Sequence, residues 1–152
     1  MRILGLDVGD ILIGVAVSDP TSTIAQGLDS IKRKNLKIDV QKIRSLTEEY
    51  KVKSIVVGLP KMLSGEIGIQ AQKVLDFADK FREVVGVPVV FWDERFTTVA
   101  ANKTLIKANV RRKKRKQVAD KMAAVLILQG YLDNQRQSSY TESDSTDEYN
   151  QT

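Results

Sequence analysis

The stretch Arg2-Ile3-Leu4-Gly5-Leu6-Asp7-Val8-Gly9-Asp10-Ile11-Leu12-Ile13-Gly14-Val15-Ala16-Val17 holds two apolar runs separated by Gly9-Asp10. Each run has strand length. A Gly at the first central position of a two-residue loop signals a type II′ hairpin, so strands 1 and 2 are expected to be antiparallel. The first run is nearly continuous and ends on Asp7, a carboxylate at the exit of an otherwise buried strand.

Working outward, a third strand is expected around Ile24 to Ile31. Leu36, Val40, Ile43 and Leu46 recur at helical spacing and give a helix ending near Tyr50. Ser54-Ile55-Val56-Val57-Gly58 is short, β-branched and apolar on both faces, the pattern of a buried parallel strand. A long helix follows from about Gly65 to Val85, with Ala71, Val74, Ala78, Phe81 and Val85 on one stripe. Val87 to Trp92 reads as another buried strand, with Pro88 at its start, where a missing N–H is tolerated. A third helix is expected after Thr97 or Thr98, running to Ala108. A last one, about Lys114 to Leu132, is apolar nearly all round from Met122 to Leu128 and so belongs against a sheet.

The order is β-β-β-α-β-α-β-α-α, an α/β chain with a mixed five-stranded sheet and helices on both faces. A meander feeding two right-handed crossovers sets strands 1, 4 and 5 side by side and parallel, with strand 1 central. Ligands of open α/β sheets bind beyond the carboxyl ends of such strands. Asp7, Gly58-Leu59-Pro60 and Asp93-Glu94-Arg95 all fall there.

Composition narrows the chemistry. The 152 residues include neither histidine nor cysteine, which excludes Ser-His and Cys-His catalysis, zinc sites of the Cys/His type and disulfides. Any metal must be held by oxygen donors, which favours Mg²⁺, Mn²⁺ or Ca²⁺. The net charge of +5 is unevenly spread: residues 133–152 carry −4 and the preceding 132 carry +9. We expect a domain over residues 1–133 and an acidic, disordered tail over 134–152. Met1 to Asp7 lacks the apolar core of a signal peptide and no segment has the length of a membrane span, so a cytoplasmic location is the default.

Several residues could carry function. Asp7 is followed by Gly9, which permits close backbone approach by a phosphate. Asp93 and Glu94 end strand 5 and, as neighbours on a strand, should point to opposite faces, so at most one shares a pocket with Asp7. Arg95 is a candidate nucleic-acid contact or a partner for one of them. Asp120 lies on the last helix one turn before Ala123 and Ala124, small residues that allow close packing on the sheet. Arg111, Arg112, Lys113, Lys114, Arg115 and Lys116 form a basic run just before it, suited to phosphate contact. Ser64-Gly65, at the expected start of the second helix, offers backbone donors to a phosphate.

Taken together, Gly5-Leu6-Asp7-Val8-Gly9, Ile13 to Pro20, Ile55 to Pro60, Pro88 to Thr98, Arg112 to Lys116 and Asp120 to Leu132 resemble the YqgF/RuvX family, in the right order over residues 1 to 133. That family comprises Holliday-junction-resolvase-like proteins also assigned as nucleases maturing the 5′ end of 16S ribosomal RNA. The resemblance implies a ribonuclease H-like fold and phosphodiester hydrolysis assisted by Mg²⁺ or Mn²⁺. It casts Asp7, Glu94 or Asp93, and Asp120 as the acids, with pre-16S rRNA or branched DNA as partner. For the assembly, which the sequence leaves open, the expectation is a monomer or weak homodimer. Asp10-Ile11-Leu12 and Lys61-Met62-Leu63-Ser64 depart from the family's usual polar segments and motivate a competing reading, a non-catalytic nucleic-acid-binding assembly factor. Asp-x-Gly after a first strand also occurs in ATPases and sugar kinases, but those need two such domains and this chain has room for one.

Overall fold

The computed structural model describes residues 1–96 and 122–137. Five strands, β1 (Arg2–Val8), β2 (Leu12–Ser18), β3 (Ala25–Lys32), β4 (Val52–Leu59) and β5 (Val89–Asp93), form one sheet in the order β3-β2-β1-β4-β5. β1 is central. It pairs antiparallel with β2 and parallel with β4, and β4 pairs parallel with β5, as the hydrophobic runs implied. Helices α1 (Leu36–Glu49) and α2 (Ile69–Val85) connect β3 to β4 and β4 to β5, and a further helix, α3, covers residues 122–137. The helix expected between Thr97 and Ala108 lies outside the described residues.

Strand alternation sorts the core into two layers. Leu4, Leu6, Ile13, Val15, Ile55 and Val57 meet Val40 and Ile43 of α1 and Val74, Ala78 and Phe81 of α2. The opposite face presents Ile3, Ala16 and Val56 to Ala123, Ala124, Ile127, Leu128 and Leu132 of α3. On that face the middle of the sheet is shallow: Gly5 stands opposite Ala16 in β2 and beside Val56 in β4. A Cβ on Gly5 would come within 2.7 Å of the Leu128 Cβ and 3.4 Å of the Ala124 carbonyl oxygen. Glycine here lets α3 lie directly on the central strand.

Several boundaries differ from expectation. Strand β5 starts at Val89, leaving Pro88 outside it, ends before Glu94 and, as an edge strand, is half-buried throughout rather than buried. The β1–β2 turn is not a type II′ turn on Gly9-Asp10, because Gly9 itself pairs across the hairpin, donating its N–H to the Leu12 carbonyl at 2.9 Å, and has no positive φ. A Gly9 Cβ would stand 2.7 Å from the Leu12 oxygen, so glycine serves close backbone approach rather than a left-handed turn. Helix α2 starts at Ile69, with Gly68 as its N-cap, not at Gly65. Helix α3 continues to residue 137, beyond the expected end at Leu132. Among the described residues no helix is long and apolar enough to cross a membrane.

The close packing of α3 gives a direct test. Gly5→Ala should lower stability by about 1–3 kcal/mol, the cost of overpacking a filled core, measured by urea denaturation; an unchanged midpoint would mean that α3 does not sit on β1 as described.

Candidate active site

Asp7 follows Leu6, which pairs with Val57, and so lies at the level of Gly58 on β4, itself paired with Trp92. Its parity with Ile3 and Gly5 turns it to the α3 face. It is only 6% exposed, an environment that a carboxylate occupies at a desolvation cost unless charge or hydrogen bonds offset it.

The neighbouring acids Asp93 and Glu94 separate cleanly. Asp93 continues the alternation of Val89 and Phe91, which pack on the α1–α2 layer, and so points away from the Asp7 face. Its carboxylate accepts from the Arg95 backbone N–H at 2.9 Å and from Arg95 Nη2 at 2.6 Å, and Lys61 Nζ stands 3.9 Å away. The Arg95 guanidinium, chiefly through that side-chain hydrogen bond, holds the Asp93 carboxyl below its ordinary value of 3.8. The Arg95 side chain is thus committed to Asp93 and reaches the Leu63 carbonyl at 3.4 Å.

Glu94 begins a single 3₁₀ turn, Glu94–Phe96, that breaks the strand. Its Oε1 lies 2.8 Å from where a Gly58 Cβ would be, and Ile127 Cδ1 closes on the same point. Gly58 therefore leaves a gap that the Glu94 carboxylate fills by reaching back across β4, toward the strand that carries Asp7. The fold brings Asp7, Gly58 and Glu94 to one edge of one face, and it turns Asp93 away.

The Gly9 turn beside them is fixed by a residue that sequence reading passed over. Arg33, just after β3, donates from Nη1 to the Gly9 carbonyl at 3.1 Å and from Nε to Asp39 Oδ2 at 3.2 Å. Its guanidinium lies over the Phe77 ring at 4.5 Å, tying the turn to both α1 and α2. Asp39 is 1% exposed and accepts also from the Lys34 N–H at 3.0 Å. Nothing in the run Lys32-Arg33-Lys34 separates Arg33 from ordinary surface charge, which is why it was invisible. Lys73 of α2 approaches Asp10 at 3.5 Å on the other side of the turn.

Ser64 and Gly65 do not form a helix N-terminus. They belong to the loop before α2, where the Gly65 N–H donates to the Met62 carbonyl at 2.8 Å and Ser64 Oγ accepts from Glu66 N–H at 3.4 Å. Gly65 has φ +89° and lies against Arg95, whose Nη1 would be 3.1 Å from a Cβ there. The Gly65 N–H is used within the loop, and neither residue heads α2, whose N-cap is Gly68. Asp120 and the basic run Arg111 to Lys116 lie outside the described residues. Among the described residues no three acidic side chains group closely enough to hold a cation; Asp7 and Glu94 are the two acids that share a face and an edge.

The sequence profile described as RuvX, Holliday junction resolvase, matches residues 1–134. A protein of Caldanaerobacter subterraneus subsp. tengcongensis, provisionally named a pre-16S rRNA nuclease, is 55% identical over 91% of this chain and its own full length. One of Thermoanaerobacter pseudethanolicus, named the same way, is 55% identical over 90% of this chain and 99% of its own. Among solved structures, RuvC of T. thermophilus in complex with a Holliday junction substrate superposes with a TM-score of 0.56 at 15% identity, covering 86% of this chain and 94% of that one. The fowlpox virus Holliday junction resolvase gives 0.51 at 17% identity, over 88% and 99%. The fold is ribonuclease H-like.

The Asp93–Arg95 pair sets a pH dependence. Because the folded-state value is depressed, the pair stabilises the fold above the ordinary carboxylate value of 3.8, and its contribution is lost as pH falls through the lower folded value. The stability difference between wild type and Asp93→Asn, followed by chemical denaturation, should be constant above about pH 5 and shrink toward zero in stronger acid. A difference that disappears already near neutral pH contradicts the pairing.

Proposed function

The chain belongs to the RuvX family and by that membership is a nuclease; from this premise we propose that it is a metal-dependent endonuclease that trims the 5′ end of pre-16S rRNA, using Asp7, Glu94 and Asp120. The observation that carries the site is Glu94 filling the space left by Gly58, on the face and edge where Asp7 ends the central strand. The choice of pre-16S rRNA over branched DNA rests on the relatives above 50% identity that match over nearly their whole length and are named for that RNA. The resolvase structures, below 20% identity, speak for the fold alone.

The donor set fits a hard cation. Asp7 and Glu94 offer only carboxylate oxygens, and a chain without histidine or cysteine has no softer ligand to bring. In sequence, Asp120 stands four residues before Ala124, which packs on Gly5, and Asp7 stands two strand residues beyond Gly5; we therefore take Asp120 as the third acid. Mg²⁺ or Mn²⁺ held by these three would neutralise charge on the scissile phosphate and lower the pKa of an attacking water.

The chain's own groups do the rest. The burial of Asp7 fixes its carboxylate at the end of a rigid central strand, and Arg33 holds the adjacent turn through the Gly9 carbonyl. Arg111, Arg112, Lys113, Lys114, Arg115 and Lys116 neutralise backbone phosphates and position the substrate without reading its sequence. The Asp10–Leu12 and Lys61–Ser64 segments serve the fold: Asp10 meets Lys73, Leu12 closes the hairpin and Lys61 faces Asp93. They leave Asp7 and Glu94 in place, so the non-catalytic reading is not favoured.

Purified protein should cut a pre-16S RNA substrate in Mn²⁺ or Mg²⁺ and not in a chelator. Asp7→Asn and Glu94→Gln should each reduce the rate by at least about 10²-fold, the scale of losing an electrostatic stabiliser of the transition state, while Asp93→Asn cuts nearly as well as wild type. Undiminished cleavage by Asp7→Asn would remove the proposed mechanism, and preferential cutting of a four-way DNA junction would move the substrate from RNA to DNA.

A further inference from the structure

Immediately beyond Glu94 the chain builds a second feature that the acids do not use. A cavity of about 460 Å³ opens at the carboxyl end of the edge strand β5, lined in part by Trp92, Phe96 and Tyr131 together with Lys61, Arg95 and Asn134. The three rings form an edge-to-face series: Trp92 and Phe96 have centroids 5.9 Å apart at 75°, and Trp92 and Tyr131 6.4 Å apart at 85°. In each edge-to-face contact the edge of one ring meets the face of the other, which leaves the edge-on ring's faces clear of that neighbour. Phe96 in particular is 71% exposed, so its ring is accessible from the cavity.

We propose that this cavity binds an unpaired nucleobase of a single-stranded segment flanking the scissile phosphate, stacked on Phe96 within the wall formed with Trp92 and Tyr131. This inference rests on the nuclease reading and specifies the kind of substrate segment that enters the site. Three features select that ligand over an apolar one. The lining combines flat aromatic rings with polar groups, the pairing by which single-stranded nucleic acid is held without strict sequence preference. Among the described lining residues Lys61 and Arg95 share one carboxylate, Asp93, which leaves one formal positive charge among them to meet a phosphate. Asn134 provides an amide with both donors and acceptors for a base edge. A paired base is already stacked between its neighbours, so only an unpaired, splayed base can lie on an aromatic ring. Phe96 is two residues from Glu94, which sets the base within a nucleotide or so of the phosphate at the acids.

The chain carries a single tryptophan, Trp92, so its own fluorescence reports on the cavity wall. The full-length protein in a chelator, free of divalent metal, is titrated with a single-stranded oligouridylate, with a single-stranded DNA of matching length, and with an RNA duplex. The oligouridylate should change indole emission saturably, and the duplex should not. Phe96→Leu should weaken binding about tenfold, the scale of losing one base–aromatic stack, and Phe96→Tyr should restore it. Equal response of single strand to DNA and RNA assigns the cavity to bases in general and supports the proposal. Equal response to duplex and single strand, no response at all, or unchanged affinity in Phe96→Leu overturns it. Because no cleavage is read, a protein that binds in this way but cuts neither RNA nor DNA refutes the nuclease reading and leaves base binding in this cavity standing, whereas one that cuts RNA without the fluorescence response refutes this inference alone.

Discussion

The absence of two side chains governs this structure. Gly5 and Gly58 sit on neighbouring central strands and face the same layer; a Cβ on either would collide with α3, and on Gly58 also with Glu94. At Gly5 the missing atom lets α3 lie on the sheet and bury Ala124 and Leu128. At Gly58 it leaves the space into which the Glu94 carboxylate reaches. Glycine costs about 0.5–1 kcal/mol relative to alanine in a strand interior, and here that cost is offset by a packed helix at one position and a placed carboxylate at the other. The core layer and the site are therefore one arrangement, built on the same face with the same device.

The opposite face has a different task. Its core of Leu4, Leu6, Val57, Phe77 and Phe81 against α1 and α2 supplies most of the apolar burial, and Arg33 links it to the site turn through Gly9. Asp93, a candidate site acid in sequence, and Arg95, a candidate nucleic-acid contact or partner for one of the two acids, form an ion pair that secures the end of β5 just before the chain turns to present Glu94. One residue of the Asp93-Glu94 dipeptide is paired with Arg95 and the other is directed toward the Asp7 edge, because β5 ends at Asp93 and Glu94 opens the 3₁₀ turn that follows.

The strand order was legible because the runs around Leu4, Val15 and Val57 are long, apolar and spaced for a meander followed by crossovers. Asp7 was legible for the same reason, as a carboxylate ending a buried run. The choice between Asp93 and Glu94 was not, since alternation separates them without saying which faces inward; that depended on the register of β5 against β4. The turn at Gly9 and the start of α2 were misread because glycine has two uses, positive φ and close approach, and sequence does not distinguish them. Arg33 was hidden because its importance lies in contacts to Gly9, Asp39 and Phe77, which only the tertiary fold brings within reach.

The central claim is that Asp7 and Glu94 act as one site across Gly58. A double-mutant cycle in the metal-dependent cleavage rate tests it most directly, comparing Asp7→Asn, Glu94→Gln and the pair. Residues that act as a unit are strongly non-additive, so the double variant should be scarcely slower than either single one. Losses that simply multiply, as for distant and independent positions, would contradict a shared site and with it this account of how the fold places its acids.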